Sequence, residues 1–437
     1  MLSKYTKKIE IKDGTFAVFN SLLCEPVYMN THEVQQLFNE ILDVFSPEEQ
    51  ASLYDRGILV RDEERDKKAY ETLYNAFKET LNIVSLMYLM PTSSCNLACK
   101  YCFVGKLDSP EHRKIMSWDT AKVAIDKFVA HLSSRAISEG RIIFYGGEPT
   151  IGWDLIVKCA RYINTNKFPV KIQIVVISNG TLMTKKEVME AKELDIEFGI
   201  SIDGPKDVND SSRIFKSNSL SVYDRAMETI ELLKKNNVKL GLSVTISEYY
   251  LDHEDEIINW LVGMKLPTNF NLLHYTNKNV NWELYYRKAS KFILRVYDTL
   301  KQHSILEGRV QRKVESFYNR QFRFGDCAAL GGNQITVCPD GEICICHGYW
   351  NMKEHKCGNI LQDELTDIFQ TDEFKLWHDN VTINKPECMN CEAVFTCGGG
   401  CAQQAETLFG DCREIDRCFC IHTKTTLKWL LLNHYLS

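Results

Sequence analysis

Three cysteines on one short stretch have a spacing that suggests a metal site. Cys95, Cys99 and Cys102 stand in CNLACKYC, spaced Cx3CxxC. Iron–sulfur clusters are held by cysteine thiolates, and a cubane has four irons. Three thiolates therefore predict a 4Fe–4S cluster with one iron open to an exogenous ligand, by the same logic as a catalytic zinc site. A structural zinc loop that borrows a distant fourth ligand is the alternative.

The chain has 437 residues and 17 cysteines, with 44% hydrophobic content and a net charge of −6. No apolar signal-peptide region stands at the N-terminus, and no apolar run is long enough to span a bilayer. We therefore expect a cytoplasmic protein without a membrane partner, whose clustered cysteines bind metal rather than form disulfides. The charge gives no nucleic-acid footprint. Cys24 and Cys159 stand apart from metal-type spacing and are expected to be ordinary buried residues.

Apolar strands alternate with helical patterns between residue 86 and about residue 275. We predict strands at VSLMYLMP, RIIFYGG, KIQIVVIS, IEFGISI, VKLGLSVTI and FNLLHY. Helices are predicted at about 117–138, 151–166, 184–193, 221–236 and 252–264, with a longer one at 281–305. Such alternation is typical of parallel βαβ units in an α/β fold. Six units suit either a partial (β/α)6 TIM-like barrel or a doubly wound sheet.

The polar motifs favour the barrel. TSSCNLACKYC, GGEP, SNG, SIDG, TIS and HYTN all follow the ends of predicted strands. In such barrels the chemistry lies at the carboxyl ends of the strands. The cysteine loop and these motifs are therefore expected to meet at one face.

Residues 1–85 carry no clustered cysteines. Strands around Lys12-Asp13-Gly14 are followed by a helix with Thr31 as N-cap and apolar residues at Val34, Leu37, Ile41 and Phe45. A second helix follows Ser46, with Glu49 completing a capping box. This order is similar to a winged-helix module, and an ordinary packing domain is the alternative.

Cx3CxΦC after a first strand, followed by GGEP, SNGT and SIDGP, resembles the radical S-adenosylmethionine superfamily. The resemblance implies that the open iron binds the amino and carboxylate groups of S-adenosylmethionine, whose reductive cleavage yields a 5′-deoxyadenosyl radical. Tyr101 and Phe103 would shield the cluster and face the adenine. The other residues that the resemblance places at the cofactor are Gly146, Gly147, Glu148, Pro149, Ser178, Asn179, Ser201, Asp203 and Arg213. Glu148 would meet the ammonium and Arg213 the carboxylate, while Asn209 stands where the family usually has His.

The glycine-rich tail has a second cysteine pattern. Cys327-x13-Gly341-x4-Cys346 precedes Cx2Cx5Cx3C at Cys388, Cys391, Cys397 and Cys401. This resembles the SPASM extension of radical enzymes, which carries two auxiliary 4Fe–4S clusters, and a zinc ribbon is the alternative. The resemblance assigns the first cluster to Cys327, Cys346 and Cys401. It assigns the second to Cys388, Cys391, Cys397 and Cys420, with Cys418 and, after it, Cys412 as competitors for the last position.

The fourth position of the first auxiliary cluster stays open between Cys338, Cys344 and a substrate thiolate. The spare cysteines, Cys357 and Cys412 included, are ligands, sulfur relays or structural residues. We expect a fold of three domains: a leader-peptide recognition domain at 1–85, a radical barrel at 86–310 and an SPASM domain at 311–437.

The implied activity is modification of a ribosomally made precursor peptide, whose leader would add as a strand to the N-terminal sheet. A low-potential flavodoxin or ferredoxin would supply electrons. Our working hypothesis is a crosslink from a Cys sulfur to a carbon. Carbon–carbon crosslinking, epimerisation and formylglycine formation in sulfatases are alternatives. His347 stands where sulfatase-maturing enzymes have an Asp base, and it is the candidate base here. A non-catalytic iron–sulfur scaffold is the remaining reading.

Overall fold

The computed structural model describes residues 1–80, 82–102, 114–217, 219–275 and 281–437. Its strands are β1 Thr6–Lys12, β2 Thr15–Asn20, β3 Val27–Asn30, β4 Leu86–Leu89, β5 Glu139–Phe144, β6 Lys171–Ser178, β7 Ile196–Ser201, β8 Leu240–Ile246, β9 Thr268–Leu272, β10 Gln334–Val337, β11 Glu342–Cys344 and β12 Gly358–Asn359. They form a three-stranded antiparallel sheet and a nine-stranded, mostly parallel sheet. The predicted α/β class is confirmed.

The helices alternate with the strands of the large sheet and then continue into the tail. They are α1 Thr31–Phe38, α2 Pro47–Asp55, α3 Glu63–Glu79, α4 Trp118–Ser134, α5 Trp153–Thr165, α6 Lys185–Glu193, α7 Lys206–Ser212, α8 Val222–Lys235, α9 Glu254–Met264, α10 Trp282–Gln302, α11 Gly308–Tyr318, α12 Leu365–Ile368, α13 Asp372–Asp379, α14 Pro386–Met389, α15 Val394–Cys397, α16 Ala402–Phe409 and α17 Arg417–Leu436.

Strands β4 to β9 are neighbours in chain order and are all parallel. A doubly wound sheet would reverse its strand order at a switch point, so this order fits the partial barrel. Along β6, Ile174 and Val176 are buried, whereas Val175 and Ile177 are half-buried. This alternation is expected when one face packs on helices and the other lines an inner surface.

The N-terminal region has the predicted strands followed by helices, with one correction. The side chain of Asn30, not Thr31, caps α1 by accepting a hydrogen bond from the Glu33 N–H at 3.0 Å. The helix ends at Phe38 because Glu40 adopts a left-handed φ of 58°. Ile41 is consequently 45% exposed rather than part of an apolar helix face. The predicted capping box of Ser46 and Glu49 is present at the start of α2.

The tail and the barrel share one sheet. Strand β10 pairs in parallel with β4, from Gln334 opposite Leu86 to Val337 opposite Leu89. All four residues of β10 are buried, and β11 and β12 extend the sheet antiparallel. No motif or spacing in the sequence predicted the pairing of β10 with β4. The predicted domain boundaries after residues 85 and 310 stay predictions.

Candidate functional site

The cysteine loop follows β4 and is held by the segment after α7. The N–H of Ala98 donates to the Ile214 carbonyl at 2.8 Å, and the N–H of Lys100 donates to the Ser212 carbonyl at 3.0 Å. Burial raises the pKa of Cys95 to about 12 and that of Cys99 to about 11. Thiolates in this environment need a strong local cation, which iron supplies because a coordinating thiol is deprotonated outright.

Two glycines bring the loop after β5 against the cysteine loop. A Cβ at Gly146 would lie 2.3 Å from the Thr92 carbonyl oxygen, and a Cβ at Gly147 would lie 2.2 Å from that of Ser94. The N–H of Glu148 donates to the same Ser94 oxygen at 2.8 Å. The glycines thus permit close approach between two loops of the protein, and their predicted place at the cofactor stays a prediction.

Glu148 lies at the centre of a buried hydrogen-bond network. Its carboxylate is 1% exposed. It accepts from the Thr150 N–H and hydroxyl, from the Ser178 hydroxyl at 2.8 Å and from the Asn179 N–H at 2.7 Å. Burial nevertheless raises the pKa of Glu148. The structure therefore brings Glu148, Ser178 and Asn179 together, as the spacing of their motifs predicted.

Asn179 also reaches the cysteine loop. Its amide nitrogen lies 4.0 Å from the Cys95 Sγ and donates to the side-chain oxygen of Asn96 at 2.9 Å. Thr181, two residues further on, accepts from the Asn96 amide at 2.8 Å. Asn96 lies in CNLACKYC and Thr181 in SNGT, but neither was among the predicted site residues.

Arg213 and Asp203 form a buried bidentate pair. The guanidinium donates to the two carboxylate oxygens at 2.9 and 3.0 Å, and the Tyr101 hydroxyl donates to the same carboxylate. The Arg213 guanidinium also lies 5.5 Å from the centroid of the Tyr101 ring. Three predicted cofactor residues therefore contact one another. The predicted contact of Arg213 with a carboxylate of the cofactor stays a prediction.

The position of the Asp203 loop is set by Asn209 and Thr245, for which the motifs predicted no contact with Asp203. The Asp203 N–H donates to the Asn209 side-chain oxygen at 3.1 Å, and the Thr245 N–H donates to the Asp203 carboxylate at 2.9 Å. Asn209, the departure from the family pattern, is fully buried. Ser201 ends β7 beside this loop, Pro149 follows Glu148 in the turn before α5, and Phe103 lies outside the described residues.

The tail cysteines fall into two groups. Burial, followed by the proximity of Cys401 and Cys327, raises the pKa of Cys346. Burial, followed by Cys397, Asp416, Cys391 and Cys388, raises that of Cys420. The pKa of Cys418 is instead raised by burial, Asp416 and Cys420, and this residue is fully buried in the core. The grouping thus places Cys420, rather than Cys418, beside Cys388, Cys391 and Cys397.

Cys338 and Cys344 form a separate buried pair. Their sulfurs are 4.0 Å apart, and the Lys356 ammonium lies 3.2 Å from the Cys338 Sγ. They pack with Met90 and Trp350 against the radical-cluster cysteine Cys102. The assignment of either one to the first auxiliary cluster stays a prediction.

The donor sets consist of cysteine thiolates, the ligands that hold iron–sulfur clusters. Within the described ranges, no three Cys, His, Asp or Glu side chains converge on one metal-ion position. A four-iron cluster is larger than one ion, so its thiolates need not converge on a single point. His422, two residues after Cys420, is fully buried, and neither ring nitrogen has a hydrogen-bond partner among the described residues. Buried polar groups are normally satisfied, so this orphan fits a group that is not protein.

His347, the candidate base, lies between two aromatic rings of the barrel. Its ring centroid is 4.7 Å from that of Tyr88 on β4 and 4.6 Å from that of Tyr145 after β5. Burial, followed by the proximity of His274, lowers the pKa of His347 to about 4. The imidazole is therefore neutral near neutral pH and has a nitrogen able to accept a proton.

Two family models match the chain. The radical SAM superfamily matches residues 89–261, and the SPASM iron–sulfur cluster-binding domain matches residues 327–392. The radical SAM cyclopropyl synthase TigE of Paramaledivibacter caminithermalis is 24% identical over 99% of this chain and 95% of its own. A cysteine-type anaerobic sulfatase-maturating enzyme of Clostridium perfringens is 22% identical over 73% of this chain and 88% of its own.

Solved structures share the fold. The enzyme anSMEcpe with bound AdoMet has a TM-score of 0.70 at 20% identity, covering 80% of this chain and 94% of its own. SuiB of Streptococcus suis, bound to the precursor peptide SuiA, has a TM-score of 0.52 at 13% identity, covering 92% and 95%. In the part of the chain that the structure describes, no helix is long and apolar enough to cross a membrane. The chain therefore carries a radical S-adenosylmethionine domain over residues 89–261 and an SPASM iron–sulfur cluster-binding domain over residues 327–392, and it is an enzyme that uses S-adenosylmethionine and 4Fe–4S clusters.

Proposed function

We propose that this enzyme forms a bond within a ribosomally made precursor peptide, whose leader binds the N-terminal sheet. The observation that carries the proposal is the edge of that sheet. Strand β3 pairs with β2 on one side, and no other described strand pairs with its outer side. An unpaired edge is a template for an added strand, and β-augmentation is a common mode of peptide recognition. The precursor-bound SuiB structure shares this fold.

Packing fixes the sheet to the body of the enzyme. Ile11, Ala17 and Phe19 form one apolar cluster with Leu427 and Leu431 of α17. The Tyr28 hydroxyl on β3 donates to the Leu431 carbonyl at 2.9 Å and lies 2.7 Å from the His434 Nδ1. A leader held at β3 would therefore have a fixed position relative to the barrel, so that leader binding delivers the following core peptide to the site.

The residues of this chain would divide the work at the barrel face. Cys95, Cys99 and Cys102 would hold the cluster that binds S-adenosylmethionine, and the bound cofactor would supply the radical chemistry that removes a hydrogen atom from the peptide. The networks of Glu148 and Asp203 keep the loops around the cofactor in place. His347, whose imidazole is kept neutral by burial, is the residue that would accept the proton released by the substrate as the new bond forms. The tail cysteines would hold the auxiliary clusters, which would supply an acceptor for the remaining electron, and a flavodoxin or ferredoxin would supply electrons to the radical cluster.

Carbon–carbon bond formation is the better supported of the two crosslinks. The full-length relative is a cyclopropyl synthase, which by its name closes a carbon ring. The thioether hypothesis rested on the spare cysteines. The spare cysteines are all buried, so none of them is a solvent-facing sulfur relay. They are Cys338, Cys344, Cys357, Cys412 and Cys418. Thioether formation is kept as the second candidate because an open first auxiliary cluster could bind a substrate thiolate.

The test is the reduced, reconstituted enzyme with S-adenosylmethionine and the precursor encoded beside its gene. We expect 5′-deoxyadenosine and a peptide two hydrogens lighter whose cysteines all still react with iodoacetamide. Loss of one alkylation site at that mass would indicate a thioether, and a Cys converted to an aldehyde would indicate formylglycine. A peptide of unchanged mass beside abundant 5′-deoxyadenosine would contradict bond formation.

Two controls separate the parts of the proposal. Cys95→Ala should abolish 5′-deoxyadenosine, because the radical cluster loses a ligand. A core peptide without its leader should be turned over at least tenfold more slowly at low concentration, with the loss recovered at high concentration. Equal turnover with and without the leader would show that the N-terminal sheet does not deliver the substrate.

A further inference from the structure

Four cations surround one buried carboxylate at the base of the tail. Arg309, Lys313 and Arg323 each place a nitrogen 3.6 to 3.9 Å from the Asp326 carboxylate. Arg312 donates to the Asp326 carbonyl oxygen at 3.1 Å. The Lys313 side chain is only 1% exposed, which is unusual for a lysine.

Among the described residues, the cations of this group outnumber the carboxylates that face them. Glu307 caps α11 and faces Arg309 and Arg312, so that two carboxylates face four cations. The three arginines of the group stay charged at any ordinary pH. Buried charges are normally paired because an unpaired one is costly. The surplus of positive charge therefore points to a further anion nearby.

The cation group lies between the two sets of tail cysteines. The Lys313 ammonium donates to the carbonyls of Thr396 and Cys397 at 3.1 and 3.2 Å. Asp326 directly precedes Cys327, and its N–H donates to the Gly398 carbonyl at 2.7 Å. The Arg323 N–H donates to the Phe395 carbonyl at 3.0 Å, and its guanidinium donates to the Gly325 and Asp326 carbonyls at 3.4 and 3.3 Å. The group therefore contacts backbone from both ligand sets.

We propose that Arg309, Arg312, Lys313 and Arg323 form a cation bridge that raises the reduction potentials of both auxiliary clusters, with Lys313 as the residue that links them. A cluster held by thiolates is anionic and gains one further negative charge when it accepts an electron. Net charge and hydrogen bonding are among the factors that set cluster potentials. Fixed positive charge between the clusters favours their reduced forms and so favours electron acceptance from the substrate. The proposal rests on the two ligand sets and not on which bond the enzyme forms.

The test is the potential of each cluster, followed by EPR during anaerobic titration with dithionite as electron donor. It uses the full chain, first as the holoenzyme and then with Cys95, Cys99 and Cys102 replaced by Ala to remove the overlapping radical-cluster signal. In Lys313→Met we expect both auxiliary clusters to show a tenfold lower ratio of reduced to oxidised form at a fixed potential. For a one-electron couple this is about 59 mV.

Removing a negative charge and removing a positive charge should shift the auxiliary potentials in opposite directions. Asp326→Asn removes the negative charge of the group, so it should raise the auxiliary potentials, whereas Lys313→Met should lower them. Lys313→Arg should restore the wild-type values. The matched control is Lys127→Met, because Lys127 also bridges two elements through Asp363 and Glu364 but lies on α4, outside the tail.

If Lys313→Met and Asp326→Asn keep their iron but shift the auxiliary potentials in the same direction, the proposal is overturned. A purely structural effect would not depend on the sign of the charge that is removed. Unchanged potentials in Lys313→Met would also overturn it. If Lys313→Met loses iron, Arg323→Gln serves instead, since Arg323 lies nearer the surface with 18% of its side chain exposed. An unchanged auxiliary potential in that variant would be equally decisive.

Discussion

The residues that the motifs identify bind one another directly, which the motifs alone did not predict. The side chain of Arg213 binds Asp203, and that of Glu148 is occupied by Thr150, Ser178 and Asn179. Their hydrogen bonds hold loops from β4, β5, β6 and β7 in one arrangement. A buried network of this kind fixes positions strongly because leaving one member unpaired costs about 1–3 kcal/mol.

Substitutions of Cys420 and Cys418 form a matched pair that tests which of them is a cluster ligand. Cys420→Ser should remove the second auxiliary cluster, so that iron falls from about twelve to about eight per chain, since each cubane holds four irons. Cys418→Ser should keep about twelve, because Cys418 is a core residue. Iron and sulfide analysis of the reconstituted variants measures the difference. Iron loss in Cys418→Ser alone would reverse the assignment.

The elements determine where the loops meet. Strands β4 and β5 are parallel neighbours, so the loops that follow them leave the same edge of the sheet. The glycine pair after β5 lets its backbone donate from Gly147 and Glu148 to the Thr92 and Ser94 carbonyls. The cysteine loop is thus supported on one side by β5 and on the other by the segment after α7.

The close contact between the cysteine loop and the loop after β5 predicts what one added methyl group at Gly147 will do. Gly147→Ala places a Cβ 2.2 Å from the Ser94 carbonyl oxygen, and backbone on both sides leaves little room to yield. We expect the radical cluster to be lost, with about four of twelve irons missing and no 5′-deoxyadenosine formed. Gly263→Ala in α9 is the control, because a Cβ there meets nothing within 4 Å. A Gly147→Ala enzyme with full iron and activity would show that the loops can separate.

In the whole molecule, the tail completes the barrel sheet. Strand β10 covers the outer edge of β4, and Ile335 and Val337 belong to the same apolar cluster as Met87 and Leu89. Helix α17 then packs on α10 and on the N-terminal sheet. The cysteine-rich segment is therefore a structural part of the barrel as well as a candidate carrier of clusters.

A chain cut after residue 310 tests this dependence. Without β10 the edge of β4 and its apolar neighbours would be exposed, which favours aggregation. We expect residues 1–310 to elute as aggregates in size-exclusion chromatography and to lose thermal cooperativity by circular dichroism. The full chain prepared without iron is the control that separates strand loss from cluster loss. A monomeric, cooperatively folding 1–310 segment would show that the barrel closes alone.

The sequence by itself determined the class of fold and the radical chemistry, because both are local patterns. Strand β6 was predicted at its observed bounds as a mostly apolar run between helical patterns, and the cysteine spacings carried the family resemblance. The extent of α1 was wrong, since periodicity at Ile41 and Phe45 continues past the left-handed Glu40 that ends the helix.

Only the tertiary structure decided which distant residues meet. The β10–β4 pairing joins residues about 250 positions apart, and the cation bridge gathers α11 and Arg323 around Asp326. The places of Asn209 and Thr245 at Asp203 are of the same kind. Such contacts depend on how elements pack, and a single sequence has no periodicity that records them.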